Sequence, residues 1–487
     1  MIILKEIMYK VAIEAVKGST DIAINKMDFD SRNIGANDVF VAIRGTVSNG
    51  HDYIEKAINL GAIAIVCDTF PEITTKGITY IQVKDTNKAL AYMAANYFGN
   101  PSQNLKLVGI TGTNGKTTIA SLLYQLFKKA GFKVGLLSTV KILVDEKEYK
   151  ATHTTPDSIT INHYLKEMCD DGVEYCFMEV SSHGIHQKRT EALHFTGGVF
   201  TNLSHDHLDY HTSFAEYRDV KKSFFDNLPK TAFALSNIDD KNGQVMLQNT
   251  AAKKLTYALK SYADYKAQIL ENQLSGLLLK INGNEVWVKL IGTFNAYNLL
   301  AIYGTAVQLG MESMEVLWLL SDLESVSGRF QFIVSNSNIT VIVDYAHTPD
   351  ALENVLKTIN DIRTKNEQLI TVVGCGGNRD KAKRPIMASI AAELSDKVVL
   401  TSDNPRNEDP ETIIQEMEQG IAPQNYKKSL SITDRKQAIK TACQLAQPND
   451  IILIAGKGHE TYQEIQGVRH DFDDMKIVKE ILEQLNK

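Results

Sequence analysis

Residues Leu107–Thr118 read LVGITGTNGKTT. An apolar run with the character of a buried strand passes directly into Gly112-Thr113-Asn114-Gly115-Lys116-Thr117-Thr118. Beyond it Ile119, Leu122, Leu123, Leu126, Phe127 and Ala130 recur at helical spacing, and Gly131 supplies a stop. Strand, glycine loop, Lys-Thr and helix form the context that makes a phosphate-binding loop credible. Backbone N–H groups and the helix N-terminus would bind phosphate oxygens. Lys116 would reach the β- and γ-phosphates, and Thr117 would ligate Mg²⁺. The longer form of the motif has one more glycine, at the position held here by Ile110. ATP and Mg²⁺ are the expected ligands, although such a loop also serves kinases, motors, switches and plain binding modules.

Outward from this loop, apolar runs alternate with helical patterns. KVGLLST, a helix near Ile159 to Cys169, CFMEVSS and GGVFTNLS follow, up to Gly328–Phe330. A second block begins with ITVIVDYAHTP and continues through LITVVGCGG, KVVLTSDNP and DIILIAGKG. This alternation indicates an α/β fold with mostly parallel sheets covered by helices. Upstream, VFVAIRG and AIAIVCD flank a helical pattern near Ile54 to Leu60, and FGNPSQN reads as a linker. Three domains are expected for a chain of 487 residues, at 1–104, 105–330 and 331–487. Ligands bind at the carboxyl ends of parallel strands, so a site between two such edges would draw on both.

Hydrophobic residues make up 44 % and charged residues 23 % of the chain, ordinary for a soluble protein. No apolar run is long enough to span a bilayer. The N-terminal MIILKEIMYKVAIEAV carries Lys5, Glu6 and Lys10 and reads as an amphipathic helix rather than an export signal. Five scattered cysteines without a C-x-x-C pair argue against a disulfide framework or structural zinc, and for a reducing cytoplasm. The net charge of −6 argues against a nucleic-acid binder.

Glu179 closes the buried run in CFMEVSS, where a Mg²⁺-binding acid would sit beside a phosphate loop. HDHLDYH holds three histidines and two aspartates but lacks the cysteines or H-E-x-x-H spacing of a zinc site. In FAEYRDVKKSFF, Phe214, Tyr217, Lys221, Phe224 and Phe225 share one helical face. Lys221 thus falls inside an apolar stripe. Its spacing alone favours a stem that snorkels to solvent. A buried amine with a lowered pKa would instead take up CO₂ as a carbamate.

These residues together resemble the Mur ligases. The resemblance runs through DSR, GTNGKTT, TTPD, MEVSSH, HDHLDYH, YRDVKK, FNAYN, GRF, DYAHTP, GCGGNRDKAKRP, DNPR and AGKGHE, in that order. It implies an N-terminal domain for a UDP group, a central ATPase and a C-terminal Rossmann-like domain that brings an amino acid. By resemblance, Ser31 and the stretch Thr46, Val47 and Ser48 contact the uridine nucleotide. His153, Thr154, Thr155, Ser181, Gln187 and Arg189 hold a muramoyl-dipeptide. Lys221 corresponds to a carbamylated lysine, and Thr117, Glu179 and His207 to Mg²⁺ ligands. Asn295 and Asn298 lie on the adenine side, Arg329 at the phosphates and Asp344 at the ribose.

Arg379, Asp403, Asn404, Pro405, Arg406, Gly456 and Glu460 match positions that hold meso-diaminopimelate. A guanidinium at Arg406 suits the second carboxylate of that amino acid, and Glu460 its ammonium. The expected reaction is ATP-dependent joining of diaminopimelate to UDP-N-acetylmuramoyl-L-alanyl-D-glutamate by a monomer. The alternatives are a lysine-adding relative or a folylpolyglutamate-type ligase. Two departures stand out: His153 replaces a more usual asparagine, and Asn49 a common aspartate.

Overall fold

The strand Lys106–Thr111 lies inside an eleven-stranded sheet, hydrogen-bonded on either side to Tyr175–Glu179 and Gly197–Phe200 and parallel to both. Residues 2–45, 48–204, 206 and 210–487 are described by this computed structural model. Thr46, Val47 and His207, expected at the substrate and metal sites, lie outside the described residues. The three parallel strands send Gly112, Glu179 and Thr201 to one sheet edge. Both faces of the sheet are covered, which is why these strands read as continuous apolar runs rather than alternating ones. Ile110, Leu122, Leu126 and Leu299 pack on one face, and Leu107, Leu165, Tyr217 and Phe225 on the other.

The same sheet continues into Tyr265–Gln273, Gly276–Ile281 and Asn284–Val288, joined antiparallel. This extension has no counterpart among the expected elements. Leu277, Leu279 and Ile281 alternate inward, with Lys280 outward, so its signal is a two-residue period rather than an apolar block.

Two further sheets complete the α/β architecture. The N-terminal one runs in the order Ile13–Lys17, Thr79–Val83, Ala62–Cys67, Asp38–Val41, Met27–Asp28. The C-terminal one runs Gln331–Val334, Thr340–Asp344, Ile451–Ala455, Leu369–Cys375, Lys397–Ser402, Ser429–Ser431. In each, only the first-named strand is antiparallel to its neighbour. The C-terminal strand order places the loops after Asp344, Ser402 and Ala455 together at one edge.

The N-terminal amphipathic helix is corrected. Only Leu4–Ile7 is helical; Lys10 adopts a left-handed φ of 62°, and Ile13–Lys17 forms an edge strand. The β-branched Ile13 and Val16 favour that strand once the helix is broken. The stretch FGNPSQN is no loose tether. Pro101 and Ser102 are buried, the Ser102 hydroxyl accepts from His194 N at 3.0 Å, and Pro101 O accepts from the Cys169 thiol at 3.3 Å. Among the described residues no helix is long and apolar enough to cross a membrane.

Candidate active site

The glycine loop is shaped by what crowds it. Gly112 has φ 147°, and a Cβ there would sit 1.9 Å from Thr201 Oγ1. Gly115, at φ 89°, caps the helix Lys116–Lys129, and a Cβ would meet Asn298 Oδ1 at 2.7 Å. Only glycine satisfies both positions. The loop is tied down by Asn202, whose Oδ1 accepts from Asn114 N at 2.9 Å and whose backbone O accepts from Thr113 N at 2.8 Å. The first-turn N–H groups of the helix are thereby presented to the sheet edge as an anion site.

Lys116 folds back onto this loop, donating to Gly112 O at 3.0 Å and Thr113 O at 2.8 Å. Lys221 lies on the helix Phe214–Asp226, only 1 % exposed, and donates to the same Gly112 oxygen at 2.9 Å. The snorkelling alternative does not hold in this structure: the stem stays inside, over the ring of Tyr217 at 4.8 Å. Burial and then the Lys116 charge push Lys221 well below the ordinary lysine range, with Asp206 opposing. Two ammonium groups on one carbonyl repel each other, which adds to the burial that disfavours the charged form of Lys221. Burial also lowers Lys116, against the pull of Glu179 and Asp206.

Glu179 is fully buried at the end of its strand, and its carboxylate accepts from Thr139 N at 2.7 Å and Thr139 Oγ1 at 3.1 Å. Thr139 Oγ1 also lies 3.0 Å from the Thr154 hydroxyl. Thr155 Oγ1 bridges Glu179 O at 2.8 Å and Ser181 N at 2.9 Å. Arg189 donates to Thr155 O at 2.5 Å and to Gln187 Oε1 at 2.7 Å. Thr154, Thr155, Ser181, Gln187 and Arg189 are therefore one connected patch beside Glu179. His153 borders it, its imidazole pushed down by burial and then by Arg189. Ser31, buried in the turn Ser31–Asn33, and Ser48 lie in the N-terminal unit, and no side-chain hydrogen bond joins them to this patch among the described residues.

Thr117, Glu179 and Asp206 offer hard oxygen donors near one loop, a donor set that suits Mg²⁺ rather than a soft metal. Among the described residues no three His, Cys, Asp or Glu side chains form a ready cation cluster.

The central and C-terminal units meet over the loop. Arg329 donates to Thr117 Oγ1 at 3.1 Å and stacks over Tyr345 at 4.5 Å. Asp344 accepts from Phe330 N at 2.6 Å, and its carboxyl is raised by burial. Asn295 and Asn298 are buried and joined at 3.0 Å. Asp350, which the sequence reading passed over, accepts from Asn114 Nδ2 and from Ser204 Oγ, both at 2.9 Å. His347 donates through Nδ1 to Tyr345 O at 2.9 Å, and burial followed by Lys383 pushes it down to about 4. Burial and Arg329 push His459 down to about 3. Both imidazoles at this seam are neutral.

At the second edge, Asn404 Nδ2 donates to Glu460 Oε2 at 2.7 Å. Arg406 takes a left-handed φ of 51°, anchored by Glu464 O and Gln466 N, and its guanidinium donates to Gly377 O at 2.8 Å. A Cβ on Gly376 would lie 2.8 Å from Arg406 Nη1 and 3.8 Å from Arg379 Cγ, so the two arginines flank that glycine. Gly456, at φ 117°, faces Asp403, and Pro405 is buried against Gly377. All seven positions expected around an amino acid are thus brought to one place. Burial and then Asp403 raise the Glu460 carboxyl. Lys457 lies at the centre of the cluster and was missed; a lysine between glycines directly after an apolar strand, in DIILIAGKG, was the available signal.

Three family descriptions cover most of the chain: Mur ligase middle domain over residues 110–306, Mur ligase glutamate ligase domain over 328–458, and Mur ligase family catalytic domain over 23–98. The chain is 55 % identical to the UDP-N-acetylmuramoyl-L-alanyl-D-glutamate–2,6-diaminopimelate ligase of Cytophaga hutchinsonii, over 99 % of this chain and 100 % of that one. It is 53 % identical to the protein of the same name from Bacteroides thetaiotaomicron, over 98 % and 99 %. A solved structure of a diaminopimelate ligase of this name superposes with a TM-score of 0.70 at 33 % identity, covering 100 % of this chain and 99 % of that one. With its phosphate loop, buried second lysine and three large sheets, the chain belongs to the Mur ligase family.

Proposed function

We propose that this ligase joins meso-2,6-diaminopimelate to UDP-N-acetylmuramoyl-L-alanyl-D-glutamate at the expense of ATP, giving the UDP-linked tripeptide, ADP and phosphate in peptidoglycan precursor synthesis. The work divides as 1–104 for the UDP end, 105–330 for ATP and 331–487 for the amino acid. Ser31, Thr46, Val47 and Ser48 hold the nucleotide end. The patch of Thr154, Thr155, Ser181, Gln187 and Arg189 orients the dipeptide.

The γ-phosphoryl group passes from ATP to the D-glutamyl γ-carboxylate, forming an acyl phosphate and releasing ADP. The α-amine of diaminopimelate then attacks the acyl carbon, and phosphate leaves from the tetrahedral adduct. Lys116 and the loop N–H groups offset charge on the transferring phosphoryl group, since such catalysis is mostly positioning and electrostatics. Thr117, Glu179, His207 and carbamylated Lys221 would hold Mg²⁺, which when bound neutralises phosphate charge. Asn295 and Asn298 face the adenine, Arg329 the phosphates and Asp344 the ribose. The contact of Asp350 with Asn114 brings the amine-carrying unit over the loop, which excludes water from the acyl phosphate.

The observation that carries the choice of amino acid is that Arg406 and Arg379 flank Gly376 while Asn404 meets Glu460 at the same sheet edge. It pairs guanidinium groups with a carboxylate acceptor, as the distal zwitterion of diaminopimelate requires. Phosphate release is the test, with ATP and the UDP-linked dipeptide, with and without each amino acid. Release that depends on diaminopimelate is expected. Preference for lysine, turnover without an acceptor, or use of a folate substrate would overturn the proposal.

A further inference from the structure

Lys457 is fully buried, and its ammonium touches four groups of the amino-acid pocket. It donates to Asn404 Oδ1 at 2.9 Å and to Tyr462 O at 2.6 Å, and stands 3.4 Å from both Asp403 Oδ1 and Glu460 Oε2. The Asn404 Oδ1 that accepts from Lys457 also accepts from Glu464 N at 2.9 Å. With that oxygen occupied, the Asn404 amide cannot flip, so its Nδ2 is held toward Glu460. One lysine thereby orients both side chains.

The charges lead to the same place. Asp403 and Glu460 bring two negative charges to a sequestered site, and each raises the cost of the other. Lys457 cancels one. A single unit of negative charge remains, carried toward the pocket by Glu460, which matches one incoming ammonium. Arg406 and Arg379 flank Gly376 at the other end. Buried charges persist only when paired and hydrogen-bonded, and this cluster becomes fully paired when the ligand's ammonium arrives.

We infer that Lys457 is the positioning residue of the amino-acid pocket: it fixes the Asn404 amide and sets the Asp403–Glu460 pair to accept one ammonium group. This rests on the proposed diaminopimelate reading. Other charged or titratable groups facing the pair are Tyr345, Cys375, Arg435 and Tyr462. Arg435 is held by Asp474 through two contacts of 2.9 and 2.7 Å.

The test uses the full chain and the variants K457M and K457M/D403N, with diaminopimelate titrated against phosphate release at saturating ATP and UDP-linked dipeptide. In K457M, the KM for diaminopimelate is expected to rise roughly 30-fold or more, as when one partner of a buried charge pair is truncated. The KM for ATP stays at the parent value. Without Lys457, Glu460 loses the cation that opposes its upward shift. The variant's KM should therefore climb more steeply than the parent's as pH falls. Removing the Asp403 charge as well restores a single negative charge, so K457M/D403N should recover most of the lost affinity and flatten the pH profile. Should K457M fail to unfold cooperatively, the double variant decides. A KM and pH profile equal to the parent's in K457M, or a double variant worse than K457M, overturns the role of Lys457. A parent chain that does not use diaminopimelate overturns the underlying reading instead.

Discussion

Lys221 illustrates how far a single position can be argued. Its place in an apolar stripe admitted both a snorkelling and a buried reading; the contact with Gly112 O at 2.9 Å and the lowered pKa select the buried one. Lys221→Ala is expected to lower turnover roughly 100-fold or more, the usual cost of losing one preorganised electrostatic group. Short carboxylic acids supplied in the assay should restore part of it by standing in for the carbamate. An alanine variant of near-parental activity would remove Lys221 from the mechanism. Arg406 sits at the opposite end of the reaction path. Arg406→Ala should raise the KM for diaminopimelate roughly 10- to 100-fold, the value of a charged hydrogen-bond pair, and leave the KM for ATP unaltered. Equal weakening toward every amino acid and ATP would indicate a structural role.

Between residues and whole units, Arg384 shows how elements are tied. It is fully buried on the helix Lys383–Leu394 and pairs with Glu408 through two contacts of 3.0 Å, and with Glu416 at 2.5 Å. This joins the helix to the chain that follows Arg406. The Arg384 guanidinium holds the Glu408 carboxyl down, from 4.5 to about 2. A depressed carboxylate contributes stability that is present above its unfolded value and lost as pH falls through its folded one. The C-terminal unit should therefore lose stability between about pH 4.5 and 2, and Glu408→Gln should flatten that dependence in urea unfolding. An unchanged acid limb would show that the pair contributes nothing. Element identity was largely legible here, since parallel strands buried on both faces and amphipathic helices repeat over short stretches. The edge strand Ile13–Lys17 and the antiparallel extension from Tyr265 to Val288 were not, because their pattern gains meaning only from the partner strand.

Asp350 belongs to the scale of the whole molecule. Its carboxylate reaches from the C-terminal unit to Asn114 of the phosphate loop and to Ser204. Asp350→Ala should open the molecule in solution scattering and lower kcat roughly tenfold, since closure assembles the two halves of the site. Unaltered scattering and turnover would deny it that role. The phosphate loop, the α/β alternation and the apolar stripe that carries Lys221 are legible in the residues alone, because each is a matter of spacing within a few turns or strands. Long-range folding is what makes Lys116 and Lys221 share one carbonyl, takes Asp350 to Asn114 across 236 positions, and takes Lys457 to Asn404 across 53. Those pairings follow from burial and the need of each sequestered charge for a partner, and no local periodicity encodes which distant partner the fold supplies.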